Sequence, residues 1–148
     1  QTYTLRGTSN SDGNKLYQGR YSSSQPLRRG VMLFTLPTDL TSVDKIDSAT
    51  LTIRRIGGVG QGGGVSVQVR CYDVTGALYA SKTAYDGQTV SIDVTSAVKA
   101  MKTSGYTGLM LYNPDTTTVG SKSYTASYAR FAGKGESGAP VLRVSYRK

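Results

Sequence analysis

Residues 122 to 130 read KSYTASYAR. In an extended chain, two-residue periodicity would put Lys122, Tyr124, Ala126, Tyr128 and Arg130 on one side, two aromatic rings between two cations. A tyrosine offers a flat apolar face and a polar tip, and its ring attracts cations and stacks on sugars or bases. The chemistry within reach is recognition of an anionic glycan or of a nucleic-acid strand. Tyr17, Arg20 and Tyr21 form a similar group in YQGRY, and Tyr85 follows Lys82 in a third. With 11 Tyr, 2 Phe and no Trp, tyrosine is the residue to which a binding role falls, although many of these rings must serve as half-buried strand residues.

Catalytic chemistry has few carriers. The chain holds no His, which removes the usual general base, the usual neutral metal ligand and any His-dependent triad. Its single Cys71 ends a run in which odd positions are apolar, so we read it as a small buried hydrophobe, and no internal disulfide can form. The carboxylates are Asp12, Asp39, Asp44, Asp47, Asp73, Asp86, Asp93, Asp115 and Glu136, with no nucleophile–base pair visible among their neighbours. Asp44 and Asp47 lie in a connection before a strand and Asp12 in a turn cluster. Calcium would need several converging oxygens, and no D-x-D-x-D-G series supplies them. No cofactor and no metal is expected. Glu136 stands in FAGKGESGAP, where it could tie the loop to Arg130 or to backbone amides, or contact a ligand directly.

One motif is misleading. Gly58-Val59-Gly60-Gln61-Gly62-Gly63 satisfies G-x-G-x-x-G, but a dinucleotide site needs the glycine turn to open a helix whose amides meet the pyrophosphate. Here the glycines lead into VSVQVR, a period-two strand. Residues 57–64 are therefore expected as a loop between two strands.

Short runs rich in Val, Ile, Leu, Thr and Tyr recur at residues 2–6, 30–36, 48–56, 65–74, 89–94, 108–113, 122–131 and 140–146, separated by Gly, Ser, Asn, Asp and Pro. Leu51 and Ile53 alternate with Thr50, Thr52 and Arg54, and Val90, Ile92 and Val94 with Ser91 and Asp93. This pattern predicts an all-β fold, an antiparallel β-sandwich or barrel with one wet face per strand. The one helix expected spans 95–103. Asp93 or Thr95 would cap it, Val98 and Met101 would face inward, Lys99 and Lys102 suit its dipole, and Gly105 stops it. It would cover one end of the sandwich.

A chain of 148 residues suits one domain, here residues 1–148. Its apolar runs fall far short of the roughly 20 residues of a membrane helix, so no membrane span is expected. The first residue is Gln, with no signal-like segment after it, so the chain is expected to be either a processed mature protein or a module of a larger one, of which we favour the module. A net charge of +9 and a pI near 9.8 predict attraction to polyanions.

Five pieces in order carry a family resemblance: RGVMLFTLP at 29–37, IDSATLTI at 46–53, VSIDVTSAV at 90–98, TGLML at 107–111, and FAGKGES at 131–137 leading to PVLRVSY at 140–146. In these the chain resembles the DNRLRE-type domains, carbohydrate-binding-module-like β-sandwiches of secreted, surface and phage tail proteins. The resemblance implies a jelly-roll-like sandwich, a non-catalytic role in attachment, and framework roles for Asp93, Thr95 and Glu136. The chain departs from the family in lacking tryptophan and in carrying Lys134 where the FASRE-like segment usually has Arg. Residues 72–88 match it weakly.

Two functions of different classes follow. The first is a glycan-binding attachment module, extracellular on a virion or cell surface, using Lys122, Tyr124, Tyr128, Arg130, Tyr17, Arg20, Tyr21 and Tyr85 against an anionic polysaccharide or teichoic-acid-like polymer. The second is a structural virion accessory or decoration module whose partners are proteins. Nucleic acid ranks behind both, since the charge permits it but no reading motif supports it.

Overall fold

Residues Ile46–Val59 form the longest strand, and this strand decides the architecture. Leu51 and Ile53 are fully buried while Thr50, Thr52 and Arg54 are half-exposed, the alternation of a strand with one core face. In the computed structural model, residues 2–6, 9–11, 15–20, 28–59, 64–71, 78–105, 108–113 and 127–148 are described. In chain order their elements are β1 (Thr2–Arg6), β2 (Ser9–Ser11), β3 (Leu16–Arg20), β4 (Arg28–Leu33) and β5 (Ile46–Val59). After them come β6 (Gly64–Cys71), β7 (Leu78–Tyr85), β8 (Thr89–Asp93), α1 (Thr95–Ser104), β9 (Gly108–Tyr112), β10 (Ser127–Phe131) and β11 (Val141–Tyr146).

Every pairing among these strands is antiparallel. The strand order is β11-β5-β10-β3-β4-β9-β6-β7, with β1 and β2 joined through β4 and β8 joined to β5. The sheet is curled into a half-barrel, and the far strand β7 returns to β5 and β8. There the Arg55 Nη1 donates to the Ala84 carbonyl at 2.9 Å and the Lys82 Nζ to the Ser91 carbonyl at 2.9 Å. The fold class read from the sequence is thus observed at the level of antiparallel all-β with one helix.

The registers of β10 and β11 follow one another down β5, from Tyr128 opposite Val59 to Phe131 opposite Arg55, then from Val141 opposite Thr52 to Tyr146 opposite Ile46. Residues 132–140 are looped out between them. This corrects the glycine-loop expectation: Gly57 and Gly58 are ladder residues opposite Arg130 and Ala129, and β5 runs on to Val59. A glycine backbone pairs like any other once a partner strand lies alongside, and that partner is about 70 residues away in sequence. β2, β3 and β7 lie outside the strand runs that the sequence pattern predicts, and β4 begins at Arg28, earlier than the apolar run suggests.

The core collects Leu16, Met32, Leu51, Ile53, Val67, Val69, Leu109, Leu111 and Phe131 from the strands and Ala97, Val98 and Met101 from α1. The side chain of Cys71 lies outside the described residues, although Val67 and Val69 of the same strand are buried as its pattern predicts. The helix ends as its sequence dictates, but its N-cap is Val94, which makes no side-chain cap hydrogen bond, so neither Asp93 nor Thr95 caps it as expected; the two fix the turn that leads into it instead. The Asp93 carboxylate accepts from the Thr95 backbone N–H at 3.0 Å and hydroxyl at 2.6 Å, and Thr95 Oγ1 accepts from the Ala49 N–H at 3.0 Å. Gly105 takes φ +79°, the left-handed closure that favours glycine, and donates to the Met101 carbonyl.

Gln18 shares the inward face of the β3–β10 ladder with buried Ala129. It is fully buried, and neither amide atom has a hydrogen-bond partner among the described residues. Gln18→Met, close in volume and free of unpaired polar atoms, is expected to raise stability by about 1–2 kcal/mol. Urea titration followed by circular dichroism would read this, and a lower midpoint for the variant would contradict it.

The C-terminus is held by charge. Tyr146 donates its hydroxyl to Asp39 at 2.5 Å, Lys148 pairs with Asp39 at 3.4 Å and Arg147 with Asp47 at 3.2 Å. The Tyr146 hydroxyl holds the Asp39 carboxyl below its ordinary value, as Ser42 does for Asp44 and Thr95 for Asp93. A carboxyl whose folded pKa is depressed contributes stability that is complete above its unfolded value, about 4, and is lost as pH falls through the folded value. Tyr146 has the opposite sign: Asp39 pushes the phenol up, so that contact is lost as pH rises through the raised value. The melting midpoint should therefore fall below about pH 4, with a shallower acid limb in Asp93→Asn. A midpoint unchanged between pH 5 and pH 2.5, read by thermal melts across that range, would refute the assignment.

Candidate functional site

The site grows from β3 and β10. Leu16, Gln18, Ala129 and Phe131 point into the core and are buried, so the alternate residues Tyr17 and Arg130, opposite one another in the ladder, face out. Gly19, at φ +104°, lets β3 depart from regular extension where it meets Arg28 of β4. The result brings three side chains together. The Arg28 guanidinium carbon lies 5.4 Å from the centre of the Tyr17 ring, and that of Arg130 lies 5.8 Å from the same ring. Both distances are within the roughly 6 Å range of a cation–π contact.

Arg130 is fixed from the other side. Its Nη2 donates to Glu136 Oε2 at 2.6 Å, and Glu136 Oε1 accepts from the Gly133 backbone N–H at 3.1 Å. Both side chains of the ion pair are about 30% exposed. The carboxylate therefore ties the looped-out 132–140 segment to the strand it leaves, joining the two structural roles the sequence offered for it. The loop is further held where the Ala132 N–H donates to the Arg54 carbonyl at 2.9 Å. At Gly138, φ +82°, a Cβ would stand 2.7 Å from Arg54 Cδ, so the loop lies close against β5.

Of the residues singled out from sequence, Tyr17 and Arg130 are brought together, and Tyr128 and Arg20 are placed beside them by backbone, in β10 and β3. The side chains of Arg20 and Tyr128, and Lys122, Tyr124 and Tyr21 entirely, lie outside the described residues. Tyr85 stands apart at 54% exposure on β7, the other end of the strand order, with Gln88 accepting from its backbone N–H. Sequence reasoning missed Arg28, whose only local signal is the Arg28-Arg29 pair before an apolar run. It also missed Arg70 of β6, whose guanidinium carbon lies 4.6 Å from the Tyr112 ring of β9 while its Nη2 donates to Gln68 at 2.8 Å.

Among the described residues no group of three or more His, Cys, Asp or Glu side chains could hold a metal ion, and no helix is long and apolar enough to cross a membrane. Asp44 accepts from the Ser42 hydroxyl, and Asp47 pairs with Arg147, so both acids serve the connection they lie in. What the Tyr17 cluster can do chemically is present fixed guanidiniums beside an aromatic ring. The chain matches no protein-family model and no curated protein.

Proposed function

We propose that the chain is a non-catalytic attachment module that binds an anionic cell-surface polysaccharide or teichoic-acid-like polymer. In this reading it is an extracellular module of a larger phage tail, virion or bacterial surface protein, built on a jelly-roll-like sandwich of the DNRLRE type. The observation that carries it is the Tyr17 cluster: two guanidiniums on one ring at 5.4 and 5.8 Å, one of them anchored by Glu136. The net charge of +9 adds long-range attraction to a polyanionic wall.

The purified chain should sediment with intact bacterial cell walls, lose that binding when the wall polysaccharide is chemically removed, and keep it at moderately raised salt. No binding at low salt to any wall tested would overturn the reading. A structural module that contacts another protein is the second reading, favoured by β11, which ends the strand order and exposes Val141 at 46%. It predicts a stable oligomer or partner with no wall affinity.

A further inference from the structure

We infer that the outer face of β11, β5 and β8 holds a second binding site, separate from the Tyr17 cluster, for an uncharged sugar unit whose adjacent hydroxyls are gripped by Arg143. This goes beyond the attachment reading and does not depend on it. The alternation that turns Leu51, Ile92 and Leu142 to the core turns their neighbours out. Strand register aligns these in ranks: Val141, Thr52 and Ser91 in one, Arg143, Thr50 and Asp93 in the next, then Ser145 with Ser48. A groove of about 530 Å³ lies over them, lined by Ser48, Thr50, Thr52, Ser91, Ser145 and Arg143 together with two valines of β11. That volume falls within the roughly 300–1,000 Å³ of small-ligand sites.

The hydrogen-bonding capacity of this groove is almost unspent. Thr52 Oγ1 and Ser91 Oγ share one contact at 3.3 Å, whereas the side chains of Ser48, Thr50, Ser145 and Arg143 have no partner among the described residues. The lining then selects the chemistry of the ligand. No aromatic ring lines the groove, which removes base stacking and the usual anchors of a protein interface. Arg143 is its one charged lining residue. Nearby, the Asp93 carboxylate accepts from Thr95, the Lys82 Nζ donates to the Ser91 carbonyl, and Arg54, one rank further along β5, lies against Gly138. Asp93 shares the rank of Arg143 two strand spacings away, about 10 Å, so an anion drawn to the guanidinium also meets a carboxylate. A sugar fits all of this. Each of its hydroxyls both donates and accepts, as the Ser and Thr hydroxyls do, and a planar guanidinium donates to two adjacent oxygens at once.

The test follows amide NMR spectra of the full isotope-labelled chain during titration with maltotriose, cellotriose and mannotriose, and with a galacturonate trimer as the charged counterpart. At least one neutral sugar should shift the amides of Thr50, Thr52, Ser91 and Arg143 in a saturable way, with an affinity that changes less than about twofold when salt is raised. Thr50→Val suits a strand and removes one hydroxyl, and should weaken that binding about fivefold. Arg143→Lys keeps the charge but not the fork and should weaken it about tenfold. Both variants should melt near the wild-type midpoint, since neither side chain holds a partner in the fold.

Arg130→Lys should leave the titration unchanged, which separates the groove from the Tyr17 cluster. The inference is overturned if none of the three neutral sugars shifts these amides, if the galacturonate trimer binds there more tightly than every neutral one, or if either groove variant binds like wild type. The face is then an ordinary solvated one, and sedimentation with cell walls still decides the attachment reading on its own. Saturable sugar binding in the groove without any wall sedimentation would remove the attachment reading and keep this site.

Discussion

Arg55→Ala is expected to lower the unfolding free energy by about 3 kcal/mol and the melting midpoint by about 10 °C. The Arg55 side chain is 1% exposed, an unusual place for a cation. Its Nη1 donates to the Ala84 carbonyl at 2.9 Å and its Nε to the Gly57 carbonyl at 3.0 Å, while its backbone N–H donates to the Gln88 carbonyl at 2.9 Å. One residue thus joins β5 to β7 and to the turn that leads into β8, where the curl of the sheet brings the end of the strand order back. Burial lowers the Arg55 pKa and the Asp86 charge partly offsets this; the guanidinium nevertheless stays protonated at neutral pH, because its ordinary value lies so far above it.

Truncation to alanine would leave two carbonyls without their donor and open a cavity. Arg55→Met separates these effects: it fills most of the volume and removes the charge, so the loss should be smaller, about 1–2 kcal/mol. Because the chain has no tryptophan, urea unfolding is best followed by circular dichroism or tyrosine emission. An Arg55→Ala midpoint equal to that of the wild type would show that the clasp does not stabilise the curled sheet.

Phe131→Ala should cost about 4 kcal/mol, the range for removing a fully buried aromatic ring and leaving part of its volume empty. Phe131 is 0% exposed and lies between Leu16 and Arg55 in the strand ladders, so its ring belongs to the layer that carries the buried guanidinium. Collapse around the void is restricted. β10 is paired on both edges, and the next residue, Arg130, is pinned outward by Glu136. Phe131→Leu should lose less than half as much.

The two substitutions also separate stability from binding. Phe131 does not face the Tyr17 cluster, so wall binding by Phe131→Leu, measured well below its melting midpoint, should match that of the wild type. Weaker binding by a folded Phe131→Leu would mean that the core layer sets the geometry of Arg130.

Much of this was legible in local pattern. The alternation of Leu51 and Ile53 with Thr50, Thr52 and Arg54 reports a strand with one buried face wherever that strand sits. The helix at Thr95–Ser104 shows its stop in Gly105, whose left-handed closure is satisfied by the nearby Met101 carbonyl, whereas its N-cap is Val94 with no side-chain cap, which the Asp93 and Thr95 signal did not indicate. The Arg130 to Glu136 tie was readable for the same reason: six residues separate the partners. By contrast β3 holds a glycine and no β-branched residue, and β7 reads LYASKTAY with one buried position, so neither carries a strong strand signal of its own. They form because partner strands offer ladders to their backbone groups.

By itself, then, the sequence determined an antiparallel β protein with one helix stopped by glycine, a basic and tyrosine-rich composition, and a carboxylate bound to its own loop. Each of these rests on residues close enough in the chain for periodicity or capping to act. Only the tertiary structure decided that Gly57 and Gly58 are ladder residues, that Arg55 is buried, and that Arg28 and Arg130 meet at one tyrosine ring. Arg28 and Arg130 lie far apart in sequence, and what brings them to Tyr17 is strand register and curl, set by the joint demand to pair backbone groups and bury one continuous core.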